Sequence, residues 1–158
     1  PARALCDTGF MPKAFIAACP VLQISAIDRF WRSHTTRPIS GAASKRILKG
    51  MQRAYIGLNV APGTYPLADP LVVLEQRTPD RPLPPALTIA AERDFLIDDS
   101  RRLKQAMDRL GSTCALHVYP GEHHVFHALP WSKHTVRCWK DQRTFLQQHV
   151  FNTDAHHV

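Results

Sequence analysis

Two residues in this chain have the type and the setting to move a proton together. Asp94 stands three residues beyond the apolar run Ala86-Leu87-Thr88-Ile89-Ala90-Ala91. His124 stands five residues beyond a second run, Cys114-Ala115-Leu116-His117-Val118-Tyr119. Short apolar runs bounded by polar and turn residues predict buried strands. In an open parallel sheet, functional groups gather where the strands end at their carboxyl sides. Adjacent parallel strands would set the two loops side by side, within reach of an Asp–His hydrogen bond. An aspartate so placed fixes the tautomer of the imidazole and stabilises the imidazolium formed when it takes a proton.

The segments between and around these strands predict how they are held. Between them lies a helix with Leu103, Ala106, Met107 and Leu110 at helical spacing, capped by Asp98 or Asp99 and stopped at Gly111. After the loop from Pro120 to Pro130, a last helix is expected over about residues 132–150, with Val136, Trp139, Phe145, Leu146 and Val150 roughly on one side. Strand, helix, strand, helix is the pattern of a parallel βαβ unit. Upstream, residues 14–19 read as a further buried strand. A helix over about 41–55 follows, with Ser40 as N-cap, Gly57 as its stop, and Ile47, Leu48, Met51, Ala54 and Tyr55 on one stripe. Residues 59–85 carry prolines at 62, 66, 70, 79, 82, 84 and 85 and read as a long surface connection, anchored at least once by Leu71-Val72-Val73-Leu74.

Composition bounds the function. The chain has 158 residues, 44% of them hydrophobic, which suits one globular domain or part of one. The formal charge of +7 comes from basic residues scattered in ones and twos, without a long run or an interleaved aromatic ladder. That is an ordinary basic surface, and no specific nucleic-acid partner is expected. Cysteines stand at 6, 19, 114 and 138, and none form a Cys-x-x-Cys pair. Buried free thiols in a reducing, cytoplasmic setting fit this distribution; the even count also allows two bridges. No apolar stretch reaches membrane-spanning length. The chain begins at Pro1, which suggests a fragment or a processed product.

The motifs around Asp94 and His124 resemble those of a known family. Ala91-Glu92-Arg93-Asp94-Phe95-Leu96-Ile97-Asp98-Asp99 is similar to the acid motif of hormone-sensitive-lipase-like esterases, where an Asp is followed by Pro-Leu and then by one or two Asp residues. Val118-Tyr119-Pro120-Gly121-Glu122-His123-His124-Val125-Phe126-His127 resembles their histidine motif, Tyr-x-Gly-x-x-His-Gly-Phe. Residues 14–22 resemble the strand that ends in Ser/Cys-Pro, and Leu67-Ala68-Asp69-Pro70-Leu71 the Ala-Ser-Pro-Leu segment. The resemblance spans about residues 12–150. It implies a three-layer α/β-hydrolase fold, of which this chain would be the C-terminal part: a mostly parallel sheet with flanking helices, all one domain over 1–158 with a tail at 151–158. It implies Asp94 as the triad acid and His124 as the base, with Leu96, Ile97 and Phe126 lining or supporting the acyl side of the substrate pocket. The implied substrate is a small-molecule ester, and no cofactor is needed.

Three departures stand out. Phe95 replaces a proline, which should be tolerated. Val125 replaces the glycine after the histidine; if that position needs positive φ, a β-branched residue would strain the loop and could displace His124. The nucleophile is also missing: no serine here has glycine at both −2 and +2, and no Gly-Gly pair exists. Without these parts, Asp94 and His124 cannot carry out acyl transfer by themselves. The chain is therefore expected to be inactive alone, to associate with itself or with a complementing N-terminal half, or to serve as a non-catalytic interaction module. His123 and His127 have the spacing of a helical zinc pair, but the flanking prolines favour a loop and there is no His-Glu-x-x-His order. No metal site is expected, and His117 is expected to face outward.

Overall fold

The computed structural model describes residues 11–31, 41–57 and 59–151. The readings of Cys6, of Ser40 as a cap and of the tail, with His156 and His157, lie outside the described residues. Three parallel strands form the sheet in the order β1 (Phe15–Ala18), β2 (Ala86–Ala91), β3 (Cys114–Tyr119). Phe15 sits opposite Ala86, and Ala86 opposite Cys114, so the three strands start level. All six residues of β2 are buried, as a strand covered on both faces requires. β1 is only half-buried, because among the described residues no strand pairs with its other edge.

Alternation along the strands sorts side chains onto two faces. Leu87, Ile89 and Ala91, with Ala14, Ile16 and Ala18 beside them, pack against Tyr119, Phe126, Cys138 and Phe145. Cys138 and Phe145 belong to the last α-helix. Ala86, Phe15 and Ala17 face the other way, onto Leu71, Leu103, Ala106 and Met107. The result is helix, sheet, helix: the three-layer α/β arrangement that the sequence predicts.

The helices in order are α1 (Gly41–Ile56), α2 (Pro70–Gln76), α3 (Ile97–Arg109) and α4 (Thr135–Leu146). α1 ends as expected, at Gly57 with φ of 82°, but its stripe does not turn inward as a whole. Leu48 is buried against Ile27, Phe30 and Leu96, while Ile47, Met51 and Tyr55 are exposed. In α4, likewise, Thr135, Cys138 and Phe145 are buried, whereas Val136 and Trp139 lie outside. Helical spacing had grouped these residues correctly by period and wrongly by face. α4 is also shorter than expected and passes into a π turn at Gln147–Phe151.

The proline-rich connection is not a bare linker. Pro70 opens α2 at a position where its missing N–H costs nothing, and Leu71 is fully buried. Asp69 is buried and accepts backbone N–H bonds from Ser25 at 3.0 Å and Gly63 at 2.9 Å. Neither Asp98 nor Asp99 caps α3, because both lie inside its first turn. Asp99 instead reaches back across the fold. It is fully buried, accepts the Leu22 N–H at 2.7 Å and pairs with the guanidinium of Arg29. Arg29 also donates to the Gln23 and Ala26 carbonyls at 2.7 and 2.8 Å. This ties the segment after β1 onto the start of α3.

Breaking a buried pair by removing one partner leaves the other uncompensated. Asp99→Ala is expected to lower stability by about 3 kcal/mol in urea unfolding, towards the low end for such pairs because Arg29 retains carbonyl partners. A loss below about 1 kcal/mol would show that the tie is dispensable.

Candidate functional site

The carboxyl ends of the three strands carry Cys19, Asp94 and His124. Asp94 sits in a tight turn after β2: its N–H donates to the Ala91 carbonyl at 3.1 Å, and its own carbonyl accepts the Ile97 N–H at 3.2 Å. Its carboxylate is almost wholly buried and divides its two oxygens. Oδ1 accepts the Leu96 N–H at 2.9 Å, and Oδ2 lies 2.8 Å from Nδ1 of His124. The Asp94 side chain is 1% exposed and the His124 ring 39%. One side of the imidazole is thus fixed by a buried anion while the rest of the ring is open to a reacting group. In this arrangement His124 has the geometry of a base and Asp94 that of its orienter.

Backbone bonds lace the two loops together. Glu92 N–H donates to Tyr119 O at 3.0 Å and Arg93 N–H to Glu122 O at 3.0 Å. Gly121 N–H donates to the Glu92 side chain at 2.7 Å. Glu122 Oε1 accepts the His134 N–H at 3.1 Å and lies 2.9 Å from His134 Nδ1. Beyond His124, Thr135 Oγ1 donates to the carbonyls of Phe126 and Leu129, at 2.9 and 2.7 Å, and Trp139 Nε1 to His127 O at 2.8 Å. Glu92 and Glu122 were not singled out from the sequence. Their only sequence signal is an acidic residue inside each motif, two residues before Asp94 and two before His124.

Val125 does adopt positive φ, at 61° with ψ of 20°. The expected strain is present, but the expected displacement is not: His124 keeps its bond to Asp94 because the loop is fixed on both sides of Val125. Phe95 takes the place of proline without disturbance. Its ring stacks on Trp31 at 6.1 Å and lies 5.8 Å from the His124 ring, giving the imidazole an apolar wall.

An open cleft of about 540 Å³ meets His124. Val21, Leu48, Met51, Phe95 and Leu96 supply its apolar lining, with Cys19, His123 and Arg93 among its polar groups. Of the expected pocket residues, only Leu96 borders this cleft. Ile97 is buried in the first turn of α3, and Phe126 is 1% exposed inside the core against Tyr119, so neither lines it. A larger cleft of about 760 Å³ lies along α4 beside Trp139 and Phe151 and carries no paired acid and base. His123 is exposed and His127 half-buried. Burial, with the neighbouring His124, holds the His127 imidazole below its ordinary value. His117 is half-exposed and lies 3.4 Å from Asp141. Cys19, Cys114 and Cys138 are buried and free.

Cys19, Asp94 and His124 offer sulfur, oxygen and nitrogen atoms within 4.8 Å of one another, which is a set that could share a cation. Burial foremost pushes the Cys19 thiol up to about 12, and the Asp94 charge adds to the rise. Without a metal the thiol is therefore neutral near pH 7. The carboxylate and imidazole already pair with each other.

A flanking-helix parallel sheet with a buried acid and an open histidine on neighbouring strand ends defines a hydrolase-type α/β architecture. The sequence matches the family described as alpha/beta hydrolase fold over residues 2–128, and the chain belongs to that family. Solved structures agree in fold. EstE5, in crystals soaked with p-nitrophenyl butyrate, superposes with a TM-score of 0.72 at 22% identity, covering 93% of this chain and 47% of that one. An esterase from the bacterial hormone-sensitive lipase family gives 0.70 at 24%, covering 93% and 47%. The hyperthermophilic esterase from the archaeon Pyrobaculum calidifontis gives 0.71 at 19%, again covering 93% and 47%. The chain thus spans about half the length of these structures. No protein with a curated description matches it.

Two measurements test the bracing of the histidine loop. Val125→Gly should raise stability by about 1 kcal/mol in urea, since glycine accepts positive φ freely; a loss would mean that the valine side chain matters more than its strain. Burial opposes ionisation of Glu122, but the neighbouring Ser132 hydroxyl and the hydrogen bonds with His134 outweigh it and hold the carboxyl below its ordinary value of 4.5. A depressed folded value gives stability that is complete above 4.5 and lost as pH falls through the folded value. Thermal unfolding of Glu122→Gln should therefore depend less on pH below 4.5 than that of the wild type.

Proposed function

We propose that this chain supplies the acid and base of a carboxylic-ester hydrolase, the C-terminal part of one α/β-hydrolase domain. Asp94 orients His124, and His124 takes the proton of a serine provided by a segment outside this sequence. The 2.8 Å contact between Asp94 Oδ2 and His124 Nδ1 carries this reading, because it spends the inner ring nitrogen on orientation and leaves the outer one for a nucleophile. The reaction would run through an acyl-enzyme. His124 would accept the serine proton during attack, return it to the leaving alcohol, and then activate water for deacylation. The apolar lining of the cleft suits a short or medium acyl chain, and no cofactor is required. The relatives described as esterases support the class of substrate, and their greater length supports the need for a second segment.

A second reading, a non-catalytic interaction module, draws support from the exposed Trp131, Val136 and Trp139 at the α4 end of the chain. Among the described residues no helix is long and apolar enough to cross a membrane.

Assay of p-nitrophenyl esters separates these readings. The chain alone should hydrolyse them no faster than His124→Ala. Joined to a hydrolase N-terminal segment carrying Gly-x-Ser-x-Gly, it should gain a rate that falls by roughly 10⁴-fold in Asp94→Asn and at least as steeply in His124→Ala. A His124-dependent rate from the chain alone would overturn the need for an outside serine. A reconstituted rate indifferent to His124 would overturn the assignment of the base.

A further inference from the structure

The acid–base pair has a third neighbour that the proposed reaction does not use. Cys19 is the first residue after β1, and its N–H donates to the Ile89 carbonyl at 2.8 Å, which pins it against β2. It is 6% exposed and adopts φ of 46°, a left-handed conformation that an L residue other than glycine, asparagine or aspartate rarely takes. Val125, with φ of 61°, is the residue next to His124. Two strained positions thus flank the pair, and the Cys19 sulfur lies within 4.8 Å of a carboxylate oxygen of Asp94 and a ring nitrogen of His124. Backbone strain that persists where the surroundings over-determine it concentrates at functional sites.

The usual employments of a cysteine do not fit. A nucleophile must reach the thiolate, and burial keeps this thiol protonated near neutral pH. A structural bridge is absent, since Cys19, Cys114 and Cys138 are all free. What a protonated thiol can do beside a carboxylate is donate. Asp94 has room for that donor. An ionised carboxylate offers about four lone-pair sites, and the Leu96 N–H and His124 Nδ1 occupy one on each oxygen.

We propose that Cys19 is a positioning residue for the acid–base pair, donating its buried thiol hydrogen to the Asp94 carboxylate and so holding that carboxylate in line with His124. Because its sulfur stands within 4.8 Å of both Asp94 and His124, Cys19 couples the end of β1 to both loops at once. It fixes the acid directly and the histidine through the acid. Serine, with a shorter but stronger donor, would do the same work. Alanine and glycine would leave Asp94 free to turn about its bond to Leu96.

This inference rests on the reading of Asp94 and His124 as an acid–base pair, but its test needs no nucleophile and uses the chain itself. Proton NMR of the wild-type chain should show a downfield His124 Nδ1–H signal, slow to exchange with water. Cys19→Ser should keep it. Cys19→Ala and Cys19→Gly should exchange that proton about fivefold faster or more, as expected when one modest hydrogen bond is lost. Glycine suits φ of 46°, so Cys19→Gly removes the thiol while favouring the backbone, and circular dichroism would show both variants folded. Unchanged exchange in folded Cys19→Gly, or loss of the signal in Cys19→Ser, would overturn the positioning role. Absence of the signal from the wild-type chain would overturn the acid–base pair itself, a different failure from either.

Discussion

Everything at the candidate site depends on β2 lying between β1 and β3 in parallel and in level register. Parallel pairing sends all three carboxyl ends the same way, and level register brings them to the same height. Cys19, Asp94 and His124 come from sequence positions more than a hundred residues apart at the extremes, yet each follows its strand by only a few residues. A shift of one residue in either pairing would exchange the faces of that strand and bury the wrong side chains. The two apolar layers therefore enforce the register, and the register enforces the site. The chemistry is a consequence of core packing on both faces of a short sheet.

The site also carries strain that the packing alone does not relieve. Cys19 and Val125 both hold left-handed backbone, at a cost on the order of 1–3 kcal/mol each. Net hydrogen bonds contribute about 1 kcal/mol apiece, so a single bond would not hold either residue in place. The structure supplies several. Glu92 and Glu122 bind the acid loop to the histidine loop, Glu122 extends the tie to His134 at the start of α4, and Thr135 fixes the carbonyls that follow. This explains why valine can stand after His124 without moving it. The position tolerates a poor residue because its neighbours leave the backbone no other conformation.

Sequence reasoning succeeded where a signal is local. β2, α3 and β3 were readable because each is a short run with its own period and its own stop, and the meeting of Asp94 with His124 was readable because each follows such a run by a few residues. It failed where the answer depends on what lies opposite. The stripes of α1 and α4 have helical spacing, but spacing cannot say which part of a stripe meets the core, and Ile47, Met51, Val136 and Trp139 ended outside. Asp99 looked like a cap because it stands near a helix start. Its true partners, Leu22 and Arg29, lie some seventy residues away, and nothing in the local sequence announces them. α2 was hidden by the prolines around it, although Pro70 is a favourable way to begin a helix. Phe126 was expected near the pocket because it belongs to the histidine motif, yet motif membership fixes its place in sequence and not the direction its ring takes.

The unequal burial of the pair follows from the same geometry and bears on what the pair can do. An aspartate exposed to water would rotate and lose its hold on the ring, whereas a buried carboxylate without partners would be costly to ionise. Asp94 avoids both outcomes by meeting donors on each oxygen inside a dry turn. In the proposed role His124 has the opposite requirement, since a base must meet its reactant. Its ring leans on Phe95 and borders the cleft, so the apolar wall limits its rotation while the ring stays 39% exposed. Orientation and access are thus assigned to different residues on different strands. In the proposed reaction, that division leaves the acid–base pair to this chain and the nucleophile to another segment. The carboxylate and the glutamates that lace its loop come from the β2–β3 half of the sheet, the proposed thiol donor comes from the end of β1, and none of them depends on where a serine would stand.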